Sequence, residues 1–186
     1  MELKALEGKI VGLISEQKED LSKYNEKLVK DIVTHRTEDS LKMVGVESGV
    51  QDKFFKDLCF RDKNKVILAS KLNDEEIVLY DFSKGLIRKD IDFYKRLLKK
   101  ISSYNKRIFL YSKDAELFIN FVDSIYILND GEVTYHTDNM FDPTIYLELE
   151  MPEIVSFIYK CENLGYRIDE YTDINELIKA IYRIKQ

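Results

Sequence analysis

Apolar and polar positions fall in alternating blocks through the middle of the chain, and each block carries the period of one kind of element. Between Leu58 and Asp130, KVILASKL sets Val66, Ile67, Ala69 and Leu72 on a helical repeat. IVLYD is then a short apolar run closing on an acid, the pattern of a buried parallel strand. The amphipathic helix RKDIDFYKRLLKKI follows, then a strand RIFLYS, a helix DAELFINFV and a strand DSIYILN that closes on Asp130-Gly131, a hairpin signal. This β-α-β-α-β order predicts an α/β fold with a mainly parallel sheet flanked by helices. Ligands in such sheets sit beyond the carboxyl ends of the strands, which here carry Asp81 and Ser112-Lys113-Asp114.

Upstream, GKIVGLI from Gly8 to Ile14 reads as a buried strand leading straight into the helical pattern EDLSKYNEKLVKDIV. A strand feeding a helix N-terminus is a natural phosphate site, because free amides and the helix dipole converge there. Here Glu16, Glu19 and Asp20 occupy that place. Carboxylates beside those amides stabilise the helix and repel a triphosphate, so the pattern predicts a helix that caps its own anion site. Downstream, Pro152 opens a helix that Gly165 ends, and Thr172-Asp173 caps a last helix from Ile174 to Ile184.

Composition narrows the picture. The 186 residues suffice for one buried domain with a small appendage, and 45% apolar against 34% charged residues suits a soluble globular chain. A net charge of -5 with no evident basic stripe argues against nucleic acid as a partner, since phosphate neutralisation needs a basic surface. No apolar run approaches the roughly 18 residues of a spanning helix, and MELKALEGKI lacks a signal-peptide core, so a cytoplasmic location is expected. Cys59 and Cys161 read as two reduced thiols, and His35 and His136 have no ligand spacing; no metal site is expected.

LCFRDKNKVILASKL, IVLYDFSKGLI, RIFLYSKD and DSIYILNDGEV, in that order and spacing, resemble the second half of an ABC-transporter ATPase. The resemblance implies a P-loop-NTPase-like sheet and places family roles on particular residues. Gly12-Leu13-Ile14-Ser15 stands at the phosphate loop, without its later glycines; Leu21 replaces the phosphate-gripping lysine, and Ser22 remains where the magnesium-binding serine belongs. LCFRD stands for the signature, with Phe60 and Arg61 in place of its glycines. Asp81 occupies the Walker B aspartate position, Phe82 that of the water-polarising glutamate, Ile87 that of the dimer-interface aspartate, and Lys113 that of the switch histidine. A phenyl ring accepts no proton, so the general base is vacant. The segment between about Ser22 and Asn25 is where the family's antiparallel sheet and glutamine loop would lie, and the resemblance implies that both are deleted. The last 38 or so residues, LELEMPEIVSFIYKCENLGYRIDEYTDINELIKAIYRI, resemble the C-terminal extension of energy-coupling-factor and cobalt-type importer ATPases, which helps pair two ATPases.

The expected organisation is thus a degenerate ABC-ATPase-like domain over 1-150, containing a shortened helical subdomain and signature helix over 25-72, and a helical extension over 151-186. The expected function is that of a non-hydrolysing scaffold or regulatory partner of an ABC or energy-coupling-factor transporter, with no catalytic residue and no bound cofactor. It would reach a membrane only through a protein partner, either an ABC ATPase or a transporter membrane subunit, or else pair with itself. Two alternatives stay open: an ATP- and magnesium-binding transporter subunit with an unorthodox site built from Ser22, Arg61, Asp81 and Lys113, and a free-standing homodimeric interaction protein.

Overall fold

The computed structural model describes residues 3–184. Four runs rich in β-branched and aromatic residues become β1 (Ile10–Ile14), β2 (Glu76–Tyr80), β3 (Arg107–Tyr111) and β4 (Ser124–Asn129). They pair in parallel in the order β2-β3-β1-β4, and β5 (Glu132–Thr137) adds an antiparallel edge. The turn into β5 needs two positive φ angles, supplied by Asp130 at 50° and Gly131 at 81°.

The helices are α1 (Val29–Ile32), α2 (Thr37–Met43), α3 (Phe60–Lys71), α4 (Arg88–Ser102), α5 (Ala115–Phe118), α6 (Glu153–Asn163) and α7 (Ile174–Ile184). Their buried side chains join one core with alternate strand residues such as Ile77, Leu79, Ile108, Leu110 and Ile125. Gly12 belongs to that face, and a Cβ there would meet the Phe118 ring at 3.2 Å, so α5 lies directly on β1 because the strand carries a glycine.

The two faces of this sheet are covered differently. The cluster on the other face holds Leu6, Val11, Leu13, Phe109, Tyr111, Tyr126 and Leu128, with Leu3 of the 3-10 turn Leu3–Ala5 packed against it and none of α1 to α7 contributing. Rings do the covering instead: Tyr80 stacks on Tyr111 at 4.5 Å and Tyr126 on His136 at 4.2 Å, while the Arg107 guanidinium lies 4.9 Å from the Phe109 ring centre. Flat side chains in van der Waals layers bury Val11 and Leu13 completely without a second layer of helices.

Two predicted helices are shorter than their patterns. EDLSKYNEKLVKDIV is not one helix: it forms a 3-10 turn at Leu21–Tyr24 and the single turn of α1. The Asp20 side chain accepts from the Ser22 amide, and the backbone at Lys27 to Val29 bonds instead to Lys53 and Phe55, with an antiparallel bridge between Leu28 and Phe54. Those contacts compete successfully with helix for the same N–H and C=O groups. DAELFINFV gives only α5, because Lys95 donates to the Glu116 and Ile119 carbonyls, Lys99 donates to that of Asn120, and Asn120 turns to a positive φ of 54°.

The α2 end is fastened to the rest of the molecule by two donors. The buried Tyr94 hydroxyl gives a 2.7 Å bond to the Val44 carbonyl, and Lys65 Nζ a 3.0 Å bond to that of Gly45. Tyr94→Phe removes one donor and strands a buried carbonyl, so unfolding in urea is expected to show a loss of about 1–2 kcal/mol with an unchanged slope.

Candidate functional site

The carboxyl ends of β1, β2 and β3 meet at one end of the sheet. Beyond Ile14 the chain turns back, with Ser15 Oγ accepting from the Gln17 amide at 3.2 Å. Each acid of this loop has a partner. Lys113, following β3, bonds to Glu16, whose carboxyl is held below its usual range by that bond and by the Lys113 charge. Glu19, almost buried, lies 3.2 Å from both Lys23 and Lys71 and accepts from the Tyr24 hydroxyl. Asp20 caps the 3-10 turn, and hydrogen bonding from Ser22 lowers its carboxyl pKa. The acids thus act differently from the expectation: they do not cap a long helix but tie the loop to α3 and to the end of β3.

Asp81 takes a left-handed conformation (φ 45°) straight after β2, with its amide bonded to the Tyr111 carbonyl. It stands between two hollows. One, of about 160 Å³, lies towards Lys18, Glu19, Phe60 and Asn64; the other, of about 590 Å³, runs between Ser83, Ser112, Lys113, Asp114 and the chain entering α6. The larger crevice is lined by Asp81, Asp114, Glu116, Glu150 and Glu153 against Lys84 and Lys113 only. With Lys113 already paired to Glu16, the balance of charge there opposes a polyphosphate. Phe82 is 3% exposed, edge-on to Tyr94 with ring centres 5.1 Å apart.

The four candidate residues are not gathered together. Asp81 and Lys113 share the larger crevice, but Ser22 and Arg61 line neither hollow. Ser22 is exposed on its 3-10 turn, engaged through its amide with Asp20. Arg61 stands on the flank of α3, 3.7 Å from Asp90 and 3.9 Å from Asp62. Phe60 packs towards Gly85, where a Cβ would meet its ring at 3.3 Å. The sequence did not point to Glu19 as a tie or to Glu150 and Glu153 as crevice walls; all three are ordinary acids in isolation, and only the fold carries the last two back to β3. Among the described residues, no group of three or more His, Cys, Asp or Glu side chains is placed to hold a metal ion, and no helix is long and apolar enough to cross a membrane.

No family model matches the chain. A putative ABC transporter ATP-binding protein of Pyrococcus furiosus is 25% identical over 159 residues, covering 83% of this chain and 59% of that protein. An energy-coupling factor transporter ATP-binding protein of Methanothermobacter thermautotrophicus is 30% identical over 108 residues, 57% of this chain and 34% of that one. A dimeric ATP-binding cassette solved in a post-hydrolysis state with ADP and phosphate shares the fold at a TM-score of 0.54 and 20% identity, over 70% of this chain and 63% of that one. In sequence the chain is similar to ABC-transporter ATP-binding proteins, and it shares their fold. A second cassette structure, an ABC transporter subunit in its ADP conformation, gives a TM-score of 0.51 at 13% identity over 82% of this cassette-like chain and 68% of its own. The chain spans less than two thirds of either curated relative, and among the described residues no strand lies between β1 and β2, where the antiparallel sheet was expected to be missing.

Proposed function

We propose that this cassette-like chain is a non-hydrolysing scaffold or regulatory partner in an ABC or energy-coupling-factor transport system. The carrying observation is the Glu16–Lys113 ion pair, which joins the loop after β1 to the end of β3 across the place where a cassette would seat its nucleotide phosphates. The loop beside it has no glycines after Gly12, and the helical N-termini next to it, at Leu21 and at Ala115, are capped by the carboxylates of Asp20 and Asp114, so both sources of anion affinity are weakened. No residue is assigned a catalytic role and no cofactor is assigned; Ser22, Arg61, Asp81 and Lys113 are degenerate positions.

Pairing is the activity left to such a chain. Its extension presents Phe157, Leu164, Tyr166, Ile174, Ile178 and Tyr182 to solvent, 42 to 75% exposed. Their exposure favours a surface for a partner, either a competent ATPase, a transporter membrane subunit or a second copy. The cassette of like fold that holds ADP and phosphate was itself solved as a dimer.

Titration with ATP and magnesium tests the reading. A ligand at a hundred times its Kd adds about 2.7 kcal/mol to stability. We expect no calorimetric heat and no rise in melting temperature at millimolar ATP; magnesium-dependent binding lost on Asp81→Ala would support instead a nucleotide-binding subunit using the crevice.

A further inference from the structure

We propose that the outer face of α4 and the acidic extension of a second copy form the contact between two copies of this chain. The proposal rests on the pairing reading above and names the surface that the extension meets.

No basic stripe stands out when the chain is read linearly, but the fold makes one. Along α4, Lys89, Phe93, Arg96 and Lys100 follow each other at spacings of four, three and four residues, and Tyr104 continues the line just past the helix. That spacing puts them on one side over about 17 Å. The opposite side of α4, with Tyr94, Leu98 and Ile101, is buried in the core, so the stripe faces outward. All five residues are exposed, Phe93 by 39% and Tyr104 by 68%. Among the described residues Lys89, Arg96 and Lys100 have no side-chain hydrogen bond or ion pair, in contrast to Lys95 and Lys99, whose ammonium groups are used on the α5 carbonyls.

The complement lies on the same chain. Residues 88–107 carry eight Lys and Arg against two acids, whereas residues 148–184 carry eight acids against four Lys and Arg, so a chain of net charge -5 holds two oppositely charged surfaces. On the extension, Glu162, Asp169 and Glu170 are exposed from the end of α6 to the approach to α7, and the outward apolar line Ile174, Ile178 and Tyr182 runs along α7, where Glu176 is paired with Lys179 at 2.7 Å. One surface is aromatic with cations, the other aliphatic with acids. They match in both respects. Laid antiparallel, the basic end of α4 meets the acidic start of the partner's α7. A two-fold axis makes the contact twice, each copy giving its α4 to the other's extension, so the assembly closes. The net negative charge and the acids beside the stripe make an extended anionic surface a poorer occupant.

Sedimentation or light scattering of the whole chain tests this. In about 0.1 M salt a dimer is expected; in about 1 M salt, where the screening length falls from ~10 to ~3 Å, its dissociation constant is expected to rise at least about tenfold. The triple variant Lys89→Glu/Arg96→Glu/Lys100→Glu and the variant Glu162→Lys/Asp169→Lys/Glu170→Lys are each expected to be monomeric. Mixed, they are expected to form a heterodimer, because every contact is again between opposite charges. A chain that is monomeric in low salt overturns the proposal, with or without folded variants. So does a dimer unaffected by salt or by either reversal, or a monomer whose stripe binds anionic vesicles or single-stranded RNA. ATP binding is measured separately, so failure of the non-hydrolysing reading is distinguishable from failure of this contact.

Discussion

Phe82→Glu, which puts a carboxylate at the position the resemblance matches to the cassettes' water-polarising glutamate, is expected to destabilise the chain rather than to produce an ATPase. Phe82 is 3% exposed and packs edge-on against Tyr94, itself buried and bonded to the Val44 carbonyl. Removing a buried phenyl ring costs about 3–5 kcal/mol. A carboxylate put in its place adds the cost of burying an unpaired charge, and the neighbouring Asn64 amide already faces the Phe82 and Lys84 carbonyls. Expected destabilisation is at least about 4 kcal/mol, or a fall in melting temperature of about 10 °C or more for a domain of this size. Circular dichroism melting reads the first effect and phosphate release the second. A variant that melts with the parent and hydrolyses ATP would show that the site needs only its base, and would sink the non-hydrolysing reading.

The same position explains what was legible beforehand. Strands were legible because IVGLI, IVLY, RIFLY and SIYIL each bury both faces or one face in period two, a signal that depends on neighbours in sequence. The turn at Asp130-Gly131 and the cap at Asp173 were legible for the same local reason. The run from Glu19 to Val33 was misread as helix because what prevents helix there, the pairing of Lys27 to Val29 with Lys53 to Phe55, lies some 25 residues away. Nor could composition reveal that Tyr80, Phe109, Tyr111 and Tyr126 would pave a face that none of α1 to α7 covers. Their period-two spacing reads equally well as contact with a second helical layer. At the site, the loss of glycines after Gly12 was plain in the sequence, while the closure of the gap by Glu16 and Lys113, 97 residues apart, needed the parallel pairing of β1 with β3 to bring them together.

Arg107→Ala is expected to show how much that paved face depends on the segment before β1. The guanidinium does three things at once. Its Nε donates to the Gly8 carbonyl at 3.3 Å, its Nη1 to that of Lys4 at 3.2 Å, and its Nη2 to that of Leu6. It also lies over Phe109, which is fully buried although none of α1 to α7 covers that face. A planar fork with five donors is the side chain that can serve several carbonyls in one plane, so Arg107→Lys keeps the charge but not the geometry. Alanine leaves up to three carbonyls short of a donor and uncovers a phenyl ring; with the acceptors able to reach water in part, the expected loss is about 2–3 kcal/mol, and lysine is expected to recover less than half of it. The released segment is identifiable independently of global stability: amide exchange at Leu6, and at Lys9 and Ile10, whose N–H groups bond to Asp123, is expected to quicken before the strands β3 and β4 open. Uniform loss of protection across the sheet would mean instead that Arg107 acts on the whole core, and that the aromatic layer needs no help from the residues preceding the first strand.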